Sequence, residues 1–228
     1  QEAIWAWHQT ISRLRSVLLE FYPQALKAFP NLKHHAATAV LGAAASPDAA
    51  QRPTRRRVVA ILQRCGRGNQ SGLVDQILAD LKAPALRQPA RVEVALEGTV
   101  SGMLTILESM RTAVTDLEAA LNDAFAEHQL APVLTSPPGL GPVLAARILA
   151  EVGDDPTRFA TANGLRAFAG TAPVTRASGR SHYVKARKVR NKRLGDACHW
   201  WAFAALTKSA GAREHYDRRR AAGDHHNA

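Results

Sequence analysis

One small hydroxyl, Ser178, stands inside the most cationic stretch of this chain, TAPVTRASGRSHYVKARKVRNKR, residues 171–193. Eight Lys or Arg residues fall between Arg176 and Arg193, and no Asp or Glu interrupts them. Serine is a weak nucleophile unless a base or desolvation activates it. Here Arg176 and Arg180 flank it, where they could neutralise the oxygens of a phosphodiester under attack. Gly179 lets the hydroxyl sit at an exposed bend. Ser181 is the rival nucleophile; it lacks a following glycine. So many unopposed positive charges repel one another unless a polyanion or solvent compensates them. A disordered, solvated loop is the plain alternative, but Val184 and Val189 are expected to anchor the run. Arg187, Lys188, Arg190 and Arg193 are read as one helical face reaching one backbone, with Lys185 beside them.

A second motif is Pro138-Gly139-Leu140-Gly141-Pro142, followed by the apolar run VLAARIL. It resembles the hairpin of helix-hairpin-helix modules. Gly139 and Gly141 would let the backbone approach a phosphate, and the N–H groups opening the next helix would point at it. Such contact is independent of base sequence. The competing reading is an ordinary turn before a helix.

The elements that must position these groups read as mainly α. Residues 4–22 place Ile4, Ile11, Leu14, Leu18 and Phe21 on one helical stripe that stops before Pro23. Residues 24–45 suggest one or two short helices. Thr54 caps a helix that ends at Gly66, with Arg55, Arg56, Arg64 and Arg67 on a basic face. Leu96, Val100, Met103, Leu107, Met110, Val114, Leu117, Leu121 and Ala124 follow a 4-3 repeat, the a/d pattern of a coiled coil. That seam predicts a long arm over 91–131, paired with another protomer or another helix of this chain; a long core helix is the alternative. After Pro132 come the glycine turn and its helix, a short helix ending at Gly170, a buried helix over 194–209 with Trp200, Trp201, Phe203 and Leu206, and a last helix closed by Gly223. A short hairpin fits within 174–190. Three regions follow: helical 1–90, a coiled-coil arm 91–131, and a compact domain 132–228 carrying the helix-hairpin-helix-like 136–153 and the basic Ser-Gly segment.

Composition narrows the function. The formal charge is +11 over 228 residues. It divides as +7 in 1–90, −5 in 91–131 and +9 in 132–228. Two basic regions around an acidic one suit a nucleic-acid partner. No basic amphipathic helix with a Trp or Phe face supports an anionic membrane, and no apolar run is long enough to span one. Cys65 and Cys198 are too few and too isolated for a zinc site or a disulfide framework; they read as buried small apolar residues in a reducing compartment. The expected location is the cytoplasm.

The run from Pro138 to Asp217 combines PGLGP, Gly153-Asp154, Arg158-Phe159, AGTAP, Ser178-Gly179 and Arg190-Asn191 before Leu194. In this combination it resembles the C-terminal transposase domain of the serine-containing, bridge-RNA-guided insertion-sequence recombinases, also called DEDD transposases. The upstream helices and the seam resemble the actinobacterial branch, which implies a bacterial cell and association with the nucleoid. The resemblance implies that Ser178 forms a covalent link to a DNA phosphate during strand exchange. It implies that Arg176, Gly179, Arg180, Lys185, Arg187, Lys188, Arg190, Asn191 and Arg193 hold DNA and a structured guide RNA, and that the chain self-associates through the arm. It further implies that a separate N-terminal domain resembling Holliday-junction resolvases supplies four acidic ligands for Mg²⁺, and no metal ligands are expected here. Against that pattern residue 1 falls near the last helix of the metal-binding domain, relatives continue beyond Ala228, and Arg180 stands where many have glycine. The chain is therefore expected to be one part of the active enzyme. Two further readings stand beside it: a non-catalytic DNA- or RNA-binding and dimerisation module, and a helix-hairpin-helix accessory protein of DNA repair.

Overall fold

The computed structural model describes residues 1–67 and 71–226. Asn227 and Ala228, where the sequence stops, lie outside the described residues. Eleven helices and one two-stranded antiparallel sheet make up the described fold. The chain divides into two compact units, Gln1–Asp116 and Leu117–Ala228.

In the first unit α1 (Glu2–Phe21) presents Ile11, Leu14, Leu18 and Phe21 to the core, as its stripe predicts, whereas Ile4 at the start of that stripe is exposed. Pro23 does not merely stop α1. It opens α2 (Pro23–Ala28), where its missing N–H costs nothing at the first helical position. α3 (His35–Ala43), α4 (Arg55–Arg64) and α5 (Ser71–Leu81) complete the wall. The Thr54 hydroxyl accepts the Arg57 N–H at 3.3 Å, so the predicted cap forms. One cluster joins Leu14, Leu18, Phe21, Val40, Leu41, Val58, Ile61, Val74 and Ile77. Burying each large apolar side chain contributes about 1.5–3 kcal/mol.

The long helix α6 (Ala90–Ala126) is present, with 37 residues. The division between the two units falls within it. Its seam is not uniform. Val100, Leu104 and Leu107 are buried in the first unit's core, with Leu96 and Met103 packed against it. Leu117 is 60% exposed and Leu121 36%. The first half of the seam is thus occupied by helices of this same chain and is closed to a second protomer. The physical reason is that the first unit's own core supplies the apolar surface that covers those positions.

The second unit contains α7 (Ala131–Thr135), α8 (Pro142–Val152), α9 (Ala162–Ala169), α10 (Lys192–Ala205) and α11 (Ala210–Ala221). Strands β1 (Val174–Ser178) and β2 (Ser181–Lys185) form the expected hairpin. Arg147 on α8 pairs with Asp196 on α10 at 2.6 Å, and the Trp201 indole N–H donates to the Pro138 carbonyl at 3.1 Å. α10 is less buried than its composition suggests. Leu194 and Ala197 are covered, whereas Trp200 and Phe203 are about half exposed. Their rings meet edge to face, and Phe203 continues to the His226 ring. An apolar cleft of about 540 Å³ opens beside Ile148, Leu165, Leu194, Cys198 and Trp201. Burial raises the Cys198 thiol above its ordinary range, which leaves it protonated and inert at neutral pH. No described helix is long and apolar enough to cross a membrane.

Candidate nucleic-acid interface and serine

The geometry around Ser178 follows from its turn. Gly179 has φ +54°, and no described non-glycine residue has positive φ. Positive at the first central position and negative at Arg180 is the sign pattern of a type II′ turn, which favours glycine in that first place. The glycine of the Ser-Gly pair therefore answers to the two-residue turn, which places no demand on the serine before it.

Register then sorts the side chains. Arg176 pairs with Tyr183, Ser178 with Ser181, and Val174 with Lys185. Directly opposed residues and alternate residues share a face. Arg176, Ser178, Ser181, Tyr183 and Lys185 thus lie on one face of the ribbon, with Arg180 at the tip. The Lys185 ammonium sits 4.9 Å from the Tyr183 ring centre. Every residue from Thr175 to Ala186 is exposed. Among the described residues no side chain hydrogen-bonds either serine hydroxyl, so neither has a general base in place. Alternation along β2 is the signal that would have added Ser181 and Tyr183 to the Arg176–Ser178 face.

The expected anchors do not anchor. Val184 is 57% exposed and Val189 89%. The ribbon is tethered instead at its base, by half-buried Val174 and by Arg187, whose Nε donates to the Ala172 carbonyl at 3.2 Å. Nor do Arg187, Lys188, Arg190 and Arg193 form one helical face. α10 begins only at Lys192, because Asn191 caps it and the preceding residues are extended or bent. Lys188 is exposed in that connection.

Arg190 and Asn191 prove to hold the unit together. The Arg190 side chain lies across Gly170, where a Cβ would fall 2.0 Å from its Cδ, and against Gly195. The Asn191 side-chain oxygen accepts the Leu194 N–H at 2.9 Å. Its amide nitrogen donates to Glu151 at 2.7 Å, and its backbone N–H donates to the Phe168 carbonyl at 2.8 Å. One residue thereby joins α8, α9 and α10. Arg193 approaches the other Glu151 oxygen at 3.9 Å. Arg158 closes the C-terminus of α8 by donating to the Glu151 and Val152 carbonyls at 3.0 and 2.6 Å, beneath the Phe159 and Phe168 rings.

The glycine turn splits in the same way. Gly139 has φ +82°, and a Cβ there would stand 2.6 Å from the Ala205 nitrogen. The close approach it permits is to the backbone of α10. Gly141 is open, with nothing within 4 Å of a built Cβ, and it caps α8 with Pro142 in the first turn. Among the described residues no group of three or more His, Cys, Asp or Glu is placed to hold a metal ion.

Residues 131–217, which carry the cationic ribbon, the Asn191-capped helix and the glycine turn, match the transposase IS116/IS110/IS902 family. Among its relatives is the mini-circle putative transposase for IS117 of Streptomyces coelicolor, 42% identical over 233 residues, covering 100% of this chain and 56% of the relative. A 43.6 kDa protein of insertion element IS110, also from Streptomyces coelicolor, is 36% identical over 96% of this chain and 54% of its own length. A 42 kDa protein of IS900 from Mycobacterium paratuberculosis is 31% identical over 88% of this chain and 50% of its own length. The chain thus spans about half the length of these relatives. No solved structure matches it.

Proposed function

We propose that this chain is part of a DNA transposase in which Ser178 is the nucleophile of strand exchange. The observation that carries the reading is the exposed Ser178 hydroxyl on one ribbon face with Arg176 and Lys185. In the proposed step Ser178 Oγ bonds to a DNA phosphorus as the bond from phosphorus to one deoxyribose oxygen breaks. The serine proton leaves to a base, and the departing oxygen takes up a proton. Attack by a second strand's hydroxyl on the serine phosphoester reverses the step and joins new partners. Arg176, Arg180 and Lys185 face the non-bridging oxygens, where charge gathers. Lys188 and the open Gly141 end of α8 supply further backbone contacts, to DNA or to a structured guide RNA. The missing base fits a composite site completed by a metal-binding domain. That domain would hold Mg²⁺. Self-association would use the exposed Leu117–Leu121 half of the α6 seam, and the cytoplasmic nucleoid is the proposed location.

The same missing base favours a second reading, a non-catalytic binding and dimerisation module. One assay separates them. Nicked DNA is incubated with this chain, with and without a metal-binding domain from a relative and its matched guide RNA, and covalent protein–DNA adducts are resolved on a denaturing gel. An adduct that needs both additions and disappears in Ser178→Ala supports the proposal. Cleavage by this chain alone contradicts a composite site. No adduct under any condition, with DNA binding intact, supports the binding module. An accessory repair protein would bind DNA without dependence on Ser178 or on guide RNA.

A further inference from the structure

The first unit carries a cationic surface that the serine chemistry does not use. Between Pro30 and Val74 the sequence holds seven Lys or Arg residues and one acid, Asp48. The structure gathers most of them on α4 and its flanks. Val58, Ile61 and Leu62 turn into the core, which leaves Arg56, Arg57, Ala60, Gln63 and Arg64 on the outer side, all exposed.

The neighbouring carboxylates are already engaged. Asp75 takes Arg55 at 2.8 Å, and Asp48 takes Arg87 at 2.8 Å. Among the described residues the side chains of Arg56 and Arg57 meet no hydrogen-bond or ion-pair partner. Arg64 donates only to the Ala60 carbonyl of its own helix, at 3.4 Å. Arg67, just past the helix, lies 3.4 Å from the His34 Nδ1 beside Lys33. Arg56 and Arg57 also stand in a first turn that contains no acid, where the helix dipole disfavours cations. An ordinary solvated helix face intersperses the two signs; this one does not.

We propose that the outer face of α4 is a second nucleic-acid contact, gripping a sugar-phosphate backbone through Arg56, Arg57, Arg64 and Arg67. Arg56 and Arg64 are eight residues apart, about 12 Å along the axis. The face therefore meets several phosphates of a strand, not a single free anion. A lipid surface does not fit, since the outward residues between the arginines are Ala60 and Gln63, with no large apolar group to enter a bilayer. This contact lies in the first unit and stands whether or not Ser178 reacts.

The test uses the whole chain with Arg56→Gln, Arg57→Gln and Arg64→Gln combined, leaving the Arg55–Asp75 pair intact. Fluorescence anisotropy measures affinity for a random-sequence DNA duplex and for a structured RNA across a KCl series. Each phosphate contact contributes about one to the log–log salt slope, so the triple variant should flatten it by about two to three, equally for unrelated sequences. Loss confined to RNA or to DNA identifies which strand α4 holds. A slope and an affinity within twofold of the parent on both probes overturn the proposal. The corresponding triple Lys variant keeps the charge and should bind within about threefold of the parent. If it binds as weakly as the Gln variant, the loss comes from the fold and the proposal also falls.

Discussion

Ser178 and Asn191 are both short polar residues in a basic segment, and their surroundings give them opposite roles. Ser178 is exposed and, among the described residues, no side chain hydrogen-bonds its hydroxyl, so Ser178→Ala should change stability by no more than about 0.5 kcal/mol in thermal melts. DNA affinity should remain nearly intact while strand exchange in the reconstituted enzyme vanishes, since alanine cannot form the phosphoester. Ser181 is its cross-strand neighbour on the same face. Exchange retained in Ser178→Ala and abolished in Ser181→Ala would move the nucleophile one rung across the ribbon; activity in both would remove serine chemistry from this chain. Asn191→Ala should instead cost about 1–2 kcal/mol, because it removes a helix cap and a bond to Glu151, with little effect on affinity below the melting range. A melting temperature unchanged by Asn191→Ala, with DNA binding lost, would restore it to the interface. The Ser-Gly turn was legible in sequence because few conformations demand glycine between charged residues. Asn191 was not, because the same side chain that can reach a phosphate can cap a helix, and only the fold says which N–H lies within reach.

At the scale of elements the 4-3 repeat predicts that α6 is long and has one apolar seam. It does not say what covers the seam, since a coiled-coil partner and a helical wall of the same chain impose the same spacing. The structure assigns the Val100–Leu107 stretch to the first unit's own core and leaves Leu117 and Leu121 outward. Two substitutions of one chemical kind should therefore behave differently. Leu107→Lys places a charge in that core and should destabilise the first unit by about 3 kcal/mol or more. Leu117→Lys with Leu121→Lys should leave the melt unchanged and reduce self-association in sedimentation velocity. A double variant that sediments like the parent, at a concentration where the parent self-associates, would show that the exposed half of the seam joins nothing. The basic connection shows a different limit. Arginine-rich stretches satisfy helix propensity, yet Asn191 starts α10 so late that Arg187, Lys188 and Arg190 lie outside it. Cap position overrides propensity there, and no composition argument reveals it.

For the whole molecule the signed charge pattern was readable from residue counts. Which carboxylates are engaged was not, because local spacing offers several partners and only the fold selects among them: Glu93 takes Arg87 six residues away, while Asp80 takes Lys27 from a distant helix. In the first unit the Arg87 hydrogen bonds hold Glu93 below the usual carboxylate range, those from Lys27 and Gln76 do the same for Asp80, and Arg111 does so for Glu108. Among the described residues of the second unit the one carboxylate held low in this way is Asp155, by Thr157 in an exposed turn. A carboxylate with a depressed folded-state pKa stabilises the fold above its unfolded value, about 3.9 for Asp and 4.3 for Glu. That contribution is lost as pH falls through the folded value. The first unit should thus lose stability more steeply than the second below about pH 4. Trp5 and Trp7 report on the first unit and Trp200 and Trp201 on the second, so variants keeping one pair, with the other changed to Phe, follow the two melts separately. Between pH 7 and pH 3 the Trp5–Trp7 transition should fall further in temperature. Glu93→Gln should lower it at pH 7 and shrink the difference between the two pH values, since glutamine does not titrate. Parallel shifts in both transitions, or a Glu93→Gln protein with undiminished acid sensitivity, would place the acid-labile pairs elsewhere than at Arg87 and Glu93.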